Sequence, residues 1–165
     1  MQEIGAELPR PYNPLNEKGN VQMIPKHDED FYGWAMTNAS LLKQKKYQEA
    51  DMDMIIEELE EMGGSNENQL INRLGVLIAH LLKWQFQPEL RGRSWEGTIE
   101  EQRHKIKRLV KKNPSLKTKI SEAIEEGFSD SKSIIKKDTP LELKLLPAEC
   151  PYTFDQIVDD DFYPE

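Results

Sequence analysis

Arg73 and His80 are the two residues of this chain best suited to chemistry on a phosphodiester. Seven positions apart on a helix, they differ by about 20° around the axis and share a face two turns apart. A fixed cation there would stabilise charge building on phosphate, and an imidazole titrating near neutrality would carry the proton. The same residues have a plainer reading. His80 sits among Leu77, Leu81 and Leu82, where a histidine serves as a hydrogen-bonded core residue, and Arg73 can pair with acids of the preceding helix.

A second constellation is Glu57, Glu58 and Glu61. Glu58 and Glu61 lie one helical turn apart and could face one divalent ion. Magnesium asks for further oxygen ligands, and the next helix offers Asn72 and His80 instead. The alternatives are a mixed carboxylate–histidine site for a transition metal or the solvated face of an amphipathic helix. No cofactor beyond such a divalent metal is called for.

The third is a basic stretch. Residues 91–119 carry 10 bases against 3 acids, whereas residues 28–67 carry 11 acids and 3 bases and residues 121–165 carry 12 acids and 4 bases. Arg91, Arg93, Arg103, Lys105, Lys107, Arg108, Lys111 and Lys112 could form one positive ridge. Ser94 reads as the cap of a helix whose N-terminus attracts an anion, so Arg91, Arg93, Ser94 and Arg103 make a candidate phosphate site. Equally, these bases could neutralise the acidic helices inside a bundle or an oligomer. Few aromatics beyond Trp95 interleave with the bases, which argues against stacking on unpaired nucleobases. Trp84, Gln85, Gln87 and Trp95 flank one loop and serve to fix a helix hairpin or, alternatively, line a pocket. Cys150 lacks basic neighbours that would activate its thiol, and Asp159-Asp-Asp reads as a solvated charge run.

These residues must be positioned by helices. Asp28 or Asp30 can cap a first helix to about Lys45, burying Phe31, Trp34, Ala35, Leu41 and Leu42. A second, about Glu49 to Met62, has the stripe Met52, Ile55, Ile56, Leu59 and Met62 and ends at Gly63-Gly64. Ser65 opens a third, running to Phe86 before Pro88 and presenting Leu70, Leu74, Leu77, Leu81 and Trp84 with Ile71, Ile78 and Leu82 beside them. This is the widest apolar face and predicts the central helix. A fourth follows Ser94, with Trp95, Ile99, Ile106, Leu109 and Val110 inside, and Asn113-Pro114 starts a fifth to about Lys137, bent near Gly127. After Pro140 the chain reads as an irregular tail with a short turn capped by Thr153. No segment alternates as a strand would.

The 165 residues suit one domain, an all-α bundle of about five helices over 28–165 preceded by an irregular, proline-bearing arm over 1–27. One cysteine excludes an internal disulfide and a thiolate zinc cluster, no apolar run could span a bilayer, and no signal peptide is evident. A reducing cytoplasm is the expected compartment. The net charge of −8 argues against indiscriminate binding to nucleic acid.

Several separated motifs carry a family resemblance: Asp30-Phe-Tyr-Gly-Trp, Ile56-Glu-Glu-Leu-Glu-Glu-Met-Gly, His80-Leu-Leu-Lys-Trp-Gln, Arg93-Ser-Trp, Glu101-Gln-Arg, Asn113-Pro-Ser-Leu and Cys150-Pro-Tyr. In this order, over about 28–165, the chain resembles the bacterial family numbered twenty-nine among the domains of unknown function, common in cyanobacteria. The resemblance implies an all-helical fold and a prokaryotic, cytoplasmic origin, and it assigns no residue a role. Locally, the Arg73–His80 spacing is similar to the Arg-x(4–6)-His motif of helical HEPN ribonucleases. Glu57-Glu58-x-x-Glu61 is similar to half of the magnesium site of MazG-type nucleotide pyrophosphohydrolases. The expected function is recognition of a protein or nucleic-acid partner, with no membrane involvement and self-association allowed by the charge layout. The alternative is a phosphodiester hydrolase using Arg73 and His80, with or without a metal at Glu58 and Glu61.

Overall fold

Asp30 sets the start of the first helix. Its carboxylate accepts a hydrogen bond from the Gly33 N–H at 2.9 Å, which makes it the cap of α1 (Phe31–Lys43) and decides between the two aspartates the sequence allows. The computed structural model containing this helix describes residue 18 and residues 23–165, so most of the arm expected over 1–27 lies outside the described residues. The described residues hold five α-helices, three short 3-10 stretches and no strand, as the hydrophobic periodicity requires. Packing divides the chain into two compact units, Met1–Glu61 and Met62–Glu165.

In the first unit, α1 buries Gly33, Trp34, Thr37, Asn38 and Leu41, while Phe31 is exposed rather than buried. The Trp34 indole N–H donates to Asp51 at 3.1 Å, and the Asn38 side-chain oxygen accepts from the Asp51 N–H at 2.8 Å. The helix ends in a reversed turn. Lys46 N–H donates to Leu41 and Lys45 N–H to Leu42, with Lys45 in the left-handed region at φ 59°.

Where the sequence predicts two helices broken at Gly63-Gly64, a single helix α2 runs 35 residues from Met52 to Phe86. Two helix-interior glycines cost about 1 kcal/mol each relative to alanine. Ending the helix would orphan up to four carbonyls and four N–H groups and require a new nucleus. Strong helix formers on both sides make continuation the cheaper choice. Ser65 is consequently a helix-interior residue and caps nothing. Met52, Ile56, Leu59 and Met62, expected inside, are exposed.

In the second unit, α2 supplies the hub that its leucines predict: Leu70, Leu74, Leu77, Ile78, Leu81 and Leu82 are fully buried. They share one core with Ile99, Ile106, Leu109 and Val110 of α3 (Arg93–Lys112) and with Ala123, Phe128 and Ile135 of α4 (Ile120–Asp138). Gly75 and Gly127 bring α2 and α4 together. A Cβ on Gly127 would lie 3.0 Å from the Gly75 nitrogen and 3.2 Å from the Ile71 carbonyl oxygen.

Two boundaries differ from expectation. Gly92, in extended conformation, occupies the cap position of α3, so Arg93 is its first residue and Ser94 is inside the helix. Asn113 closes α3, its side-chain N–H donating to the Leu109 carbonyl at 3.0 Å, and Pro114–Lys119 forms a 3-10 turn before α4 begins. The segment after Pro140 is docked rather than loose. Leu146, Tyr152 and Ile157 are buried, and Thr153 and Gln156 form a capping box that starts α5 (Phe154–Val158). Among the described residues no helix is long and apolar enough to cross a membrane.

Candidate anion-binding groove

Helical spacing alone puts Asn66, Gln69, Arg73 and Val76 on one strip of α2, at steps of three and four residues. Lys105, Arg108 and Lys112 make a similar strip on α3. The antiparallel course of these two helices sets the strips against each other across a groove of about 350 Å³. Asn66, Gln69 and Arg73 form one wall, and Lys105, Arg108, Leu109, Lys112 and Asn113 form the other. Four cations and three carboxamides therefore converge on one surface, with no carboxylate or imidazole in the lining.

The charges there are largely uncompensated. Among the described residues, Lys105 is the groove cation with a carboxylate in ion-pair contact, its partner being Glu101 one turn away. That hydrogen bond is the main reason the exposed Glu101 carboxyl sits below its ordinary range, and the nearby Arg73 charge adds to the effect. Among the same residues Arg73, Arg108 and Lys112 have no such partner, in a chain whose acids outnumber its bases 30 to 22.

A second hollow of about 310 Å³ shares Gln69 and Arg73 with the groove and adds Asn72, Val76 and Gln102. The side-chain oxygen of Gln102 is shielded from solvent and has no hydrogen-bond partner among the described residues.

The residues singled out by sequence are distributed differently from the expected clusters. Arg73 lines both hollows, and His80 lines neither. His80 is half-buried and donates from Nδ1 to the Val76 carbonyl at 2.8 Å. Burial is the main cause of its pKa lying below 6.5; the bond to Val76 opposes the shift, Lys83 assists it and Asp138 opposes it. Lys83 is itself buried, 3.8 Å from Asp138 and over the ring of Trp95, with burial holding its pKa below 10.5. His80 thus belongs to a packed polar cluster near the end of α2, apart from the groove.

The expected ridge does not form as one surface. Arg103 faces inward and is fully buried, its guanidinium donating to the carbonyls of Ile157, Asp160 and Phe162. Helical periodicity explains the correction: Arg103 falls in register with Ile99, Ile106 and Val110 on the core face. It is therefore committed to the chain's own backbone and unavailable to an external phosphate. Lys107 pairs with Asp160 at 2.7 Å. Arg91 donates to the Trp84 carbonyl at 2.8 Å and lies over that ring, while Arg93 and Ser94 are exposed at the start of α3. With Gly92 at the cap position, the Ser94 hydroxyl has no capping role for an anion to exploit.

Glu58 and Glu61 likewise part company. Glu58 is bonded to His27 Nε2 at 2.6 Å, and Glu61 is exposed. Among the described residues no group of three or more histidines, cysteines, aspartates and glutamates is placed to hold a metal ion. Cys150 is half-buried, and burial raises its thiol pKa.

Sequence reasoning missed the groove's membership, because Arg73 on one helix joins bases from another only through tertiary packing. The matching three-and-four spacing of the two polar strips was the available signal. The family model described as "Domain of unknown function DUF29" matches residues 27–163. No curated protein and no solved structure matches the chain.

Proposed function

We propose, for a chain that belongs to the domain-of-unknown-function family DUF29, that residues 62–165 act as a binding module that holds the phosphates of a nucleic-acid strand in the groove between α2 and α3. The observation that carries this reading is the convergence of Arg73, Lys105, Arg108 and Lys112, three of them without a carboxylate partner among the described residues, beside amide donors. Lys105, Arg108 and Lys112 step along α3 by about 4.5 and 6 Å. Such steps are comparable to the separation of successive phosphates on an extended strand. Arginine adds a planar fork that matches phosphate oxygens bidentately. The lining offers charge and hydrogen-bond donors without a proton acceptor. That favours binding over the alternative of cleavage by Arg73 and His80.

The acidic remainder of the molecule repels a polyanion, so the groove must act locally, with an affinity that falls steeply with salt. The test is fluorescence anisotropy of the full chain with a labelled single-stranded RNA at about 50 mM salt, repeated with Arg108→Glu and Lys112→Glu. Saturable binding that drops at least tenfold in the double variant is expected. Binding that survives the charge reversals, or no binding at all, would reject the reading. Capture of an acidic peptide in place of RNA would reassign the groove to a protein partner.

A further inference from the structure

The hollow beside the cationic groove differs from it in chemistry. It is lined by Gln69, Asn72 and Gln102, by Arg73, which also lines the groove, and by one apolar residue, Val76. Carboxamides bring no net charge to attract a phosphate. What they bring is a paired donor and acceptor, the pattern that reads the edge of a nucleobase. One of those acceptors is unsatisfied. The Gln102 side-chain oxygen has neither water access nor a hydrogen-bond partner among the described residues, a state that protein interiors avoid. The torsion that aims a terminal carboxamide is broad, so this oxygen can turn into the hollow when a donor arrives there. Turned that way, the Gln102 oxygen exchanges an unpaired buried position for one where a ligand N–H in the hollow can bond to it.

Resting on the groove as a phosphate track, we propose that the hollow is a subsite for one adenine. Gln102 would accept from the exocyclic amine, and the amide N–H groups of Gln69 and Asn72 would donate to ring nitrogens. A single glutamine or asparagine offers adenine the same acceptor-and-donor pair that these three side chains would supply together, whereas guanine's matching partner is arginine and cytosine's amine favours a carboxylate. Arg73, shared by both hollows, stays with the phosphate that joins the flipped base to the strand. The base is held by its edge over Val76 without an aromatic platform, so selectivity comes from hydrogen bonds rather than stacking.

The experiment measures binding of the full chain to short oligouridine strands carrying one central A, C or G, alongside adenosine monophosphate. The A-bearing strand should bind at least about fivefold more tightly than the others. Gln102→Leu should abolish that preference while leaving the oligouridine affinity unchanged, and Gln102→Glu should shift preference toward C. Strand binding at least tenfold tighter than the mononucleotide identifies a strand as the source of the adenine. Equal affinities identify a free nucleotide and retain the subsite while removing the strand. If all strands bind equally and Gln102→Leu is indifferent, the subsite is wrong and the groove reading stands. If no strand or nucleotide binds, both fail.

Discussion

Arg103 shows how much one side chain can hold in place. Its three carbonyl acceptors come from residues 157, 160 and 162, more than fifty positions along the chain. The guanidinium ties the backbone of the C-terminal segment to α3 within the second unit. Burial lowers its pKa, and the Asp159-Asp160-Asp161 run and Tyr163 act in the opposite direction, so the acidic run that reads as solvated in the sequence also stabilises a buried cation. Arg103→Met removes three charge-assisted bonds and leaves the Ile157 carbonyl unpaired in the interior, and we expect a loss of about 3 kcal/mol or more in urea unfolding. Arg103→Lys should rescue little, because a single ammonium cannot serve three diverging acceptors. A loss below about 1 kcal/mol for the methionine variant would show that these bonds are replaceable.

His27 makes a prediction with a sign. Its ring is bonded to Asp28 at 2.9 Å and to Glu58 at 2.6 Å, and it packs edge-on against Phe31 and Trp34. The bond to Asp28 and then that to Glu58 raise its pKa above 6.5, with partial desolvation opposing them. The folded state therefore binds the proton more tightly than the unfolded state. The stabilising contribution is fully present below pH 6.5 and is lost as pH rises through the raised folded value. A histidine NMR titration should place the His27 midpoint above 6.5, and His27→Gln should remove that part of the pH dependence of unfolding. A midpoint at or below 6.5 would contradict the pairing.

At the scale of elements, the glycines divide into two kinds that the sequence does not tell apart. Gly63 and Gly64 lie in the interior of α2 with nothing within 4 Å of the point where a Cβ would stand, so neither is required by packing. Replacing each by alanine should stabilise the helix by about 0.5–1 kcal/mol. Gly127 is the opposite case. Its missing Cβ leaves room for the backbone of α2 at Gly75 and Ile71, which cannot retreat as a flexible side chain would. Gly127→Ala should cost about 1–3 kcal/mol, the range for overpacking. Thermal unfolding of the three single variants checks the contrast, and a destabilised Gly63→Ala beside a neutral Gly127→Ala would invert it.

At the scale of the whole molecule, charge decides how a polyanion could engage. A net charge of −8 with a cationic groove confines attraction to one place and makes it sensitive to screening. If the four groove cations neutralise three or four phosphates of a single strand, log K should fall against log salt with a slope of about −2 to −3. Lys107→Ala should leave that slope unchanged, because Lys107 already serves Asp160. A slope near zero would mean that something other than phosphate is bound.

Much of this protein can be read from residue order alone. The period of Leu70, Leu74, Leu77 and Leu81 specifies a buried helical hub, an aspartate at 28 or 30 and Thr153 announce helix starts, and the separated motifs identify the family. These features depend on local backbone preference and on which face of a helix avoids water, and both are properties of neighbours in sequence. What only tertiary structure decided is where the polar residues meet. Arg103 and Arg108 are both arginines on one amphipathic helix, yet one is fully buried against backbone carbonyls and the other is exposed in the groove. Arg73 leaves its expected partner His80 for bases of another helix, and Glu58 is bonded to His27, far from it in sequence. Long-range pairing of charged groups depends on helix register across a packed interface, and residue spacing within one helix does not contain it.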